Sequence, residues 1–466
     1  MSLKSAIKIL GVALLAIAGF GILSCAALCA YFHLAMPEPP VVEDGDLRII
    51  EPAVPDDENA YAAFLAVTNR LDCSPEDRSV LSAYFMYCSG FPKPFNSWRK
   101  DGTPDDCRAE VDRILSERAA GLEGLRQVVL RPKYLLIPDA DGSFFPPISM
   151  MTLAHTLLRA QADRARERGD FAAAFTAERN GFLFATLCRD NASTLVECNL
   201  GSGLGGLSCR RMVSLANGEG VSDGLLAAVD ELLKDDFDEK ALFEQTVRRE
   251  YVNFCCRMLD KAGEPMSSDE LCRLLPDLLS EVPSTGIRTE CFSYSGIVRI
   301  SGLARFAYNR EMTRQDMVNV FRAGLADRDV EGLVPSPRSV FQPNFIGRII
   351  ARSVAPSFKD VRRHLKESLF ALRAARTAVA IRRYGLANRG AIPSDLSALV
   401  PTYLAEVPRD PFAPDRVLGY DATVRQLWTV GVDGDFSAID SEQTGKCDFS
   451  RKRAKCVFRF DGKRIE

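Results

Sequence analysis

The stretch Ile392-Pro-Ser-Asp-Leu-Ser-Ala-Leu-Val-Pro-Thr-Tyr-Leu-Ala-Glu-Val-Pro-Arg-Asp-Pro-Phe412 decides the fold of the C-terminal part of the chain. Prolines at 393, 401, 408 and 411 exclude a single helix, since each lacks an N–H and clashes with the preceding turn. The apolar residues between them, Leu396, Leu399, Val400, Leu404 and Val407, are too regular for a disordered tether. Ser394 is placed to cap a short helix that Pro401 stops. Pro408 and Pro411 fix a turn around Arg409-Asp410, and Phe412 is expected to plug against a preceding helix. The segment therefore reads as a rigid, proline-pinned wrap.

Upstream, residues 358–388 read as one long helix, with Val361, Leu365, Leu369, Leu372, Ala375 and Val379 as its apolar stripe. Arg362, Lys366, Arg373, Arg376 and Arg383 run beside that stripe. They make either a solvated face or a docking face for an acidic partner or anionic membrane surface. Downstream, VLGYDATVRQLWTVGVDGD at 417–435 alternates like a small antiparallel hairpin, with Tyr420, Leu427 and Val430 as core candidates.

A long helix, then Gly390, Pro393, Leu396, Leu399, Val400, Pro401, Tyr403, Leu404, Val407, Pro408, Asp410, Pro411 and Phe412, then Tyr420, then Gly431-Val-Asp433-Gly434 follow a distinctive spacing. This pattern resembles the globular head of the major pseudopilin of type II secretion systems. The resemblance covers about 358–440, under a fifth of the chain. It implies a structural calcium ion in the loop after the hairpin. Carried over, the ligands are the Val430 carbonyl, Asp433 and Asp440, with Ser441 standing where a further acidic ligand is expected. Ca²⁺ takes six to eight oxygens, and Asp435 is the available replacement.

The chain also departs from that family. Gly19-Phe20 is present, but the fifth position after the junction is Ser24 rather than Glu, and more than 300 residues separate it from the head. Processing and polymerisation as a pilin are not expected. An anchored helical ectodomain ending in such a head resembles envelope proteins of planctomycete-type bacteria.

Residues 9–31 carry no charge and give roughly 34 Å of helix, enough to cross a bilayer. Lys4 and Lys8 precede them, and Glu38, Glu43, Asp44 and Asp46 follow. The expectation is a single-pass anchor in the inner membrane, with the bulk of the chain on the periplasmic side and the lipid bilayer as a partner. A cleaved signal peptide and a lipobox at Ile22-Leu23-Ser24-Cys25 are the alternatives.

Between anchor and head, residues 32–57 read as an extended linker, 58–330 as a helical ectodomain and 331–357 as a connector leading into the head at 358–466. Helical spacing recurs at 58–72, 105–127, 149–168, 171–189, 222–234, 238–259 and 311–328. Residues 150–188 form the clearest unit, two helices joined at Gly169-Asp170 like a tetratricopeptide hairpin, without a 34-residue repeat. The fold expected is thus mainly α: a transmembrane helix, an irregular helical-hairpin ectodomain, and an α+β head of long helix plus small antiparallel sheet.

Gly201-Ser-Gly-Leu-Gly-Gly206 matches GxGxxG, but helical sequence precedes it where a nucleotide site needs a strand. Close helix packing or a helix break explains the glycines better. The 59 basic and 62 acidic residues argue against a general nucleic-acid binder. Of 14 cysteines, Cys447 and Cys456 are the candidate disulfide, flanking Arg451-Lys452-Arg453, with two free thiols as the alternative. Cys255-Cys256 reads as buried thiols. The three histidines, His33, His155 and His364, belong to no catalytic motif, and His155 reads as a core residue. The expectation is a membrane-anchored envelope scaffold with a protein partner, no small-molecule substrate and no enzymatic activity. A divergent part of a secretion or type IV pilus-like machine is the first alternative, and an enzyme with a site assembled in the helical domain the second.

Overall fold

The computed structural model describes residues 37–51, 54–88, 104–135, 147–234, 236–262, 308–328, 330, 333–334, 343–430 and 457–460. The chain folds as two compact units. One takes the residues up to Ile49 together with Val247–Phe358, and the other takes Ile50–Thr246 together with Lys359 onward.

In the larger unit, α1 (Ala60–Leu71) begins at Asn59, whose side chain accepts from Tyr61 N. It buries Tyr61, Phe64, Val67 and Leu71 along one face. Helices α2 (Pro75–Cys88), α3 (Pro104–Glu117) and α4 (Ala119–Val128) close a first apolar core around it, with Leu81, Ile114 and Leu125. Helices α5 (Ile148–Glu167) and α6 (Phe171–Asp190) form the expected hairpin. Gly169 takes a left-handed φ of 77°, and Asp170 caps α6 by accepting from Ala173 N. Helix α7 (Leu195–Ala216) follows, capped by Thr194, and then α8 (Asp223–Leu232), capped by Ser222.

Helix α9 (Glu239–Glu250) runs into a π-helical turn at Tyr251–Cys256 and on into α10 (Arg257–Ala262). In the smaller unit this turn packs with α11 (Arg310–Leu325) and the start of α12 (Phe345–Ala387). Its aromatic core sets Tyr251 against Phe321 at 5.3 Å and Phe321 against Phe358 at 5.2 Å.

The C-terminal wrap leads into a three-stranded antiparallel sheet of order β1-β2-β3. Strand β1 is Gly419–Asp421, β2 Gln426–Trp428 and β3 Val457–Arg459. Tyr420 pairs with Leu427, and Leu427 with Phe458. Among the described residues this module shares its core with the helices. Leu396, Leu399, Leu404, Leu427 and Phe458 share one buried cluster with Phe182 of α6, Met212 of α7, Val229 of α8 and Val379 of α12.

The sequence expectation needs correction at its start. No helix among the described residues is long and apolar enough to cross a membrane, so the fold is a mainly helical chain with one small sheet and no supported transmembrane helix. The longest helices, α5, α6, α7 and α12, carry charged side chains along their length. Residues 9–31, where that helix was expected, lie outside the described residues.

Other differences are local. Helix α12 starts at Phe345, thirteen residues before the expected start, and runs through Pro356. A proline inside a helix costs about 3 kcal/mol. Burial of Phe345, Ile346, Ile349 and Ile350, at about 1.5–3 kcal/mol each, outweighs that cost. The 105–127 helix breaks at Arg118, and the helices at 75–88 and 195–216 were not anticipated. In the expected extended linker, Gly45–Leu47 form a turn and Leu47 is fully buried.

Candidate functional site

The wrap from Ile392 to Phe412 folds by side-chain-to-backbone ties. The short helix Leu396–Leu399 is a 3₁₀ turn, and its cap is Asp395 rather than Ser394, with Ser397 N donating to Asp395 Oδ1 at 2.7 Å. Asp395 stands directly before the turn in extended backbone, where its carboxylate reaches the second N–H of the turn. Leu396, Leu399 and Leu404 are buried. The Tyr403 ring meets Tyr384 of α12 edge-on at 6.0 Å. Tyr420 of β1 donates to the Pro393 carbonyl at 2.6 Å and stacks on Phe460. Phe412 sits half-buried, with the Lys366 ammonium 5.7 Å from its ring centre.

Asp410 is the organising residue. It is fully buried, and one carboxylate ties three places in the chain together. Phe412 N donates to Oδ1 at 2.8 Å, Val430 N donates to Oδ2 at 2.8 Å, and the Thr429 hydroxyl donates to Oδ1. The Val-Pro-x-Asp-Pro-Phe motif thus clamps the end of β2 to the wrap. The clamp fixes the backbone at Val430, where the chain enters the loop that was expected to hold calcium.

Of the expected metal ligands, Val430 is described, and its residue is 2% exposed. Asp433, Asp435 and Asp440 lie outside the described residues, as do Ser441 and the candidate disulfide Cys447 and Cys456. Among the described residues no group of three His, Cys, Asp or Glu side chains could hold a metal ion. The described cysteines Cys73, Cys88, Cys107, Cys188, Cys198, Cys209, Cys255 and Cys256 are all thiols. Burial pushes the Cys198 and Cys209 thiols up to about 12.

The basic stripe of α12 is largely spent inside the unit. Arg373 pairs with Asp236 and donates to the Arg409 carbonyl at 2.8 Å. Arg376 donates to the Lys234 carbonyl, Arg383 pairs with Asp230, and Arg362 lies over the Phe243 ring. These guanidiniums hold α8, the residues after it and α9 against α12, which leaves little of the stripe for an anionic partner.

A cleft of about 340 Å³ opens at the end of α12, between Arg382, Gly390, Asn217, Arg425 and Phe460. Among the described residues its lining offers two guanidiniums and one amide. That lining could accept an anion.

The polar cluster of the helical hairpins is buried. Arg211 of α7 bonds both Asp163 of α5, at 2.9 Å, and Glu178 of α6, at 2.5 Å. Burial works against its charge, and those two carboxylates outweigh it, so Arg211 stays protonated well above the usual range. His155 is 3% exposed and bonds Ser208 Oγ at 3.0 Å. Burial, with Arg211 and Arg159 nearby, pulls its imidazole down to about 3. His155 is therefore a neutral core group. His364 pairs with Asn199 at 3.0 Å.

The glycine run lies within helix α7 and serves packing. A Cβ on Gly201 would collide with the backbone of Arg189 and the Ala185 carbonyl of α6. Gly205 and Gly206 face Ser368 and Ala371 of α12.

Sequence reasoning missed the clamp role of Asp410. Its signals were its place in the resembling motif and the turn that Pro408 and Pro411 fix around Arg409-Asp410. With the geometry in hand, no family model, curated protein or solved structure matches the chain.

Proposed function

We propose that this chain is a scaffold or interaction protein whose C-terminal module, from α12 to β3, is a calcium-stabilised head similar to that of the type II secretion major pseudopilin. The observation that supports this best is the Asp410 clamp. It gives a structural task to the central residue of the resembling motif, and it fixes Val430 at the mouth of the proposed calcium loop. Tyr420, Pro393, Leu396, Leu399 and Leu404 hold core or tie positions in the same module.

Calcium would be held by the Val430 carbonyl, Asp433, Asp435 and Asp440, where it would pin the loop after β2. Val430 fits that assignment because its backbone is already fixed by its bond to Asp410. A bound Ca²⁺ supplies cross-linking charge here and no catalytic step.

A scaffold accounts better for α12 than a filament subunit does. A filament subunit needs its long helix free to pack on other copies. Here Leu372, Ala375, Val379 and Ile381 of α12 are buried in the chain's own core.

The test is a titration of the full chain with CaCl₂, read through Trp428, two residues before Val430. Saturable quenching or enhancement at one site, lost in Asp433→Ala, is the expected result. An unchanged emission at millimolar Ca²⁺, with no binding heat, would remove calcium from this reading.

A further inference from the structure

The smaller unit already holds a peptide-like ligand, and that ligand is part of its own chain. Residues 43–48, Glu-Asp-Gly-Asp-Leu-Arg, lie against Tyr251 of the π-helical turn and against α11. The Asp44 carboxylate is 8% exposed at its side chain. Its Oδ2 accepts from Tyr251 Oη at 2.6 Å and from Arg314 Nη2 at 2.6 Å and Nε at 3.1 Å. Its Oδ1 accepts from Arg48 Nε at 2.9 Å. Arg322 grips Asp46 with a two-pronged fork, Nε to Oδ2 at 3.0 Å and Nη2 to Oδ1 at 2.6 Å, and also donates to the Glu43 carbonyl at 2.7 Å. A planar fork of this kind reads a carboxylate by geometry as well as charge.

Arg314 and Arg322 lie eight residues apart on α11, about 12 Å along one face of the helix. Tyr251 is braced by the Phe321 ring, so the receiving groups stand on rigid elements. Leu47 is fully buried, and it closes the turn by donating its N–H to the Asp44 carbonyl at 3.0 Å. On either side of this short anchor the chain is exposed, with Val41 at 91% and Ile50 at 95%. Two carboxylates and one leucine therefore form the core of the attachment. The two carboxylates meet donors of complementary charge on Arg314 and Arg322.

We propose that the face made by Tyr251, Arg314 and Arg322 is a recognition surface for a turn-forming acidic segment of the form Asp-x-Asp-Leu, that residues 43–47 are its resident ligand, and that a protein partner carrying such a segment binds by displacing it. The resident segment sets a threshold. Its tether gives it an effective concentration of order millimolar, which an outside segment must exceed in affinity or number.

The test uses the full chain and a fluorescein-labelled peptide of residues 42–49. In the double variant Asp44→Asn, Asp46→Asn the resident segment loses its hold. The peptide is expected to bind this variant at least tenfold more tightly than the wild type. Binding should weaken with salt and vanish when Arg314→Ala and Arg322→Ala are added. A folded double variant that fails to bind millimolar peptide overturns the proposal. So does binding that survives loss of both arginines.

A second form covers a double variant that does not fold. A protease site inserted after the exposed Ile50 lets the wild-type chain be nicked after folding. The labelled peptide should then replace the cut segment overnight in moderate salt, and its failure to do so overturns the proposal. Either negative result leaves the reading of the C-terminal module untouched, because none of these groups belongs to it.

Discussion

Replacing Asp410 with alanine removes the acceptor for Phe412 N, Val430 N and the Thr429 hydroxyl at one stroke. A hydrogen bond to a charged group contributes about 1.5–3 kcal/mol, and an orphaned buried donor costs about 1–3 kcal/mol. Val430 and Thr429 are buried, while Phe412 is half-buried and can recruit water. Two fully exacted penalties and one partial one give a loss of about 4 kcal/mol. Asp410→Asn keeps one acceptor oxygen but sets an amide donor against a donor, so about half of that loss is expected. The assay is equilibrium urea unfolding of the full chain, read by Trp428. The chain has two tryptophans, so a Trp98→Phe background isolates the signal. Against a total stability of roughly 5–15 kcal/mol the shift in midpoint is large. A loss below about 1 kcal/mol for Asp410→Ala would refute the clamp.

Three further outcomes follow from the packing and the titrating groups. Gly201→Ala forces a Cβ into the backbone of α6 and should cost about 1–3 kcal/mol. Gly203→Ala, with open space around it, should be neutral or stabilise by up to about 1 kcal/mol, and paired thermal melts separate the two. His155 titrates near 3 when folded and near 6.5 when unfolded, so the unfolded state binds more protons between those values. Stability from this residue is complete above pH 6.5 and falls as the pH drops, by about 2 kcal/mol at pH 5. His155→Gln should flatten that limb of a urea-midpoint profile. Phe182→Ala, in α6, should cost about 3–5 kcal/mol and lower the midpoint read at Trp428 as much as that read by helical ellipticity, because Phe182 and Leu427, the residue beside Trp428, belong to one buried cluster. Separate transitions would show that the module folds apart from the hairpins.

The parts of this fold written in local pattern were legible. The α5–α6 hairpin announces itself through Gly169-Asp170 and its flanking periodicity, and the β1–β2 hairpin through alternation around Tyr420 and Leu427. What local pattern hid was decided by distant partners. Glycines at 201, 203, 205 and 206 lower helix propensity by about 1 kcal/mol each, which disguised α7, whose stability comes from contact with α6 and α12. Pro356 disguised the first turns of α12 in the same way. The acidic run at 43–46 looked like a tether because its partners, Tyr251, Arg314 and Arg322, lie more than 200 residues further along the chain. Asp410 was visible as a motif position, but its three donors, one of them at Phe412 and two at the end of β2, could be assigned only from coordinates.

The measurement that bears most directly on the proposed function is thermal unfolding of the full chain in Ca²⁺, in Mg²⁺ and in chelator, with Asp433→Ala alongside. A ligand at 100 times its Kd adds about 2.7 kcal/mol to the folded state. The account predicts a rise of several degrees in Ca²⁺, little or none in Mg²⁺, and none in the variant. Identical melts in Ca²⁺ and chelator would contradict the calcium-stabilised head and leave the Asp410 clamp as a purely structural device.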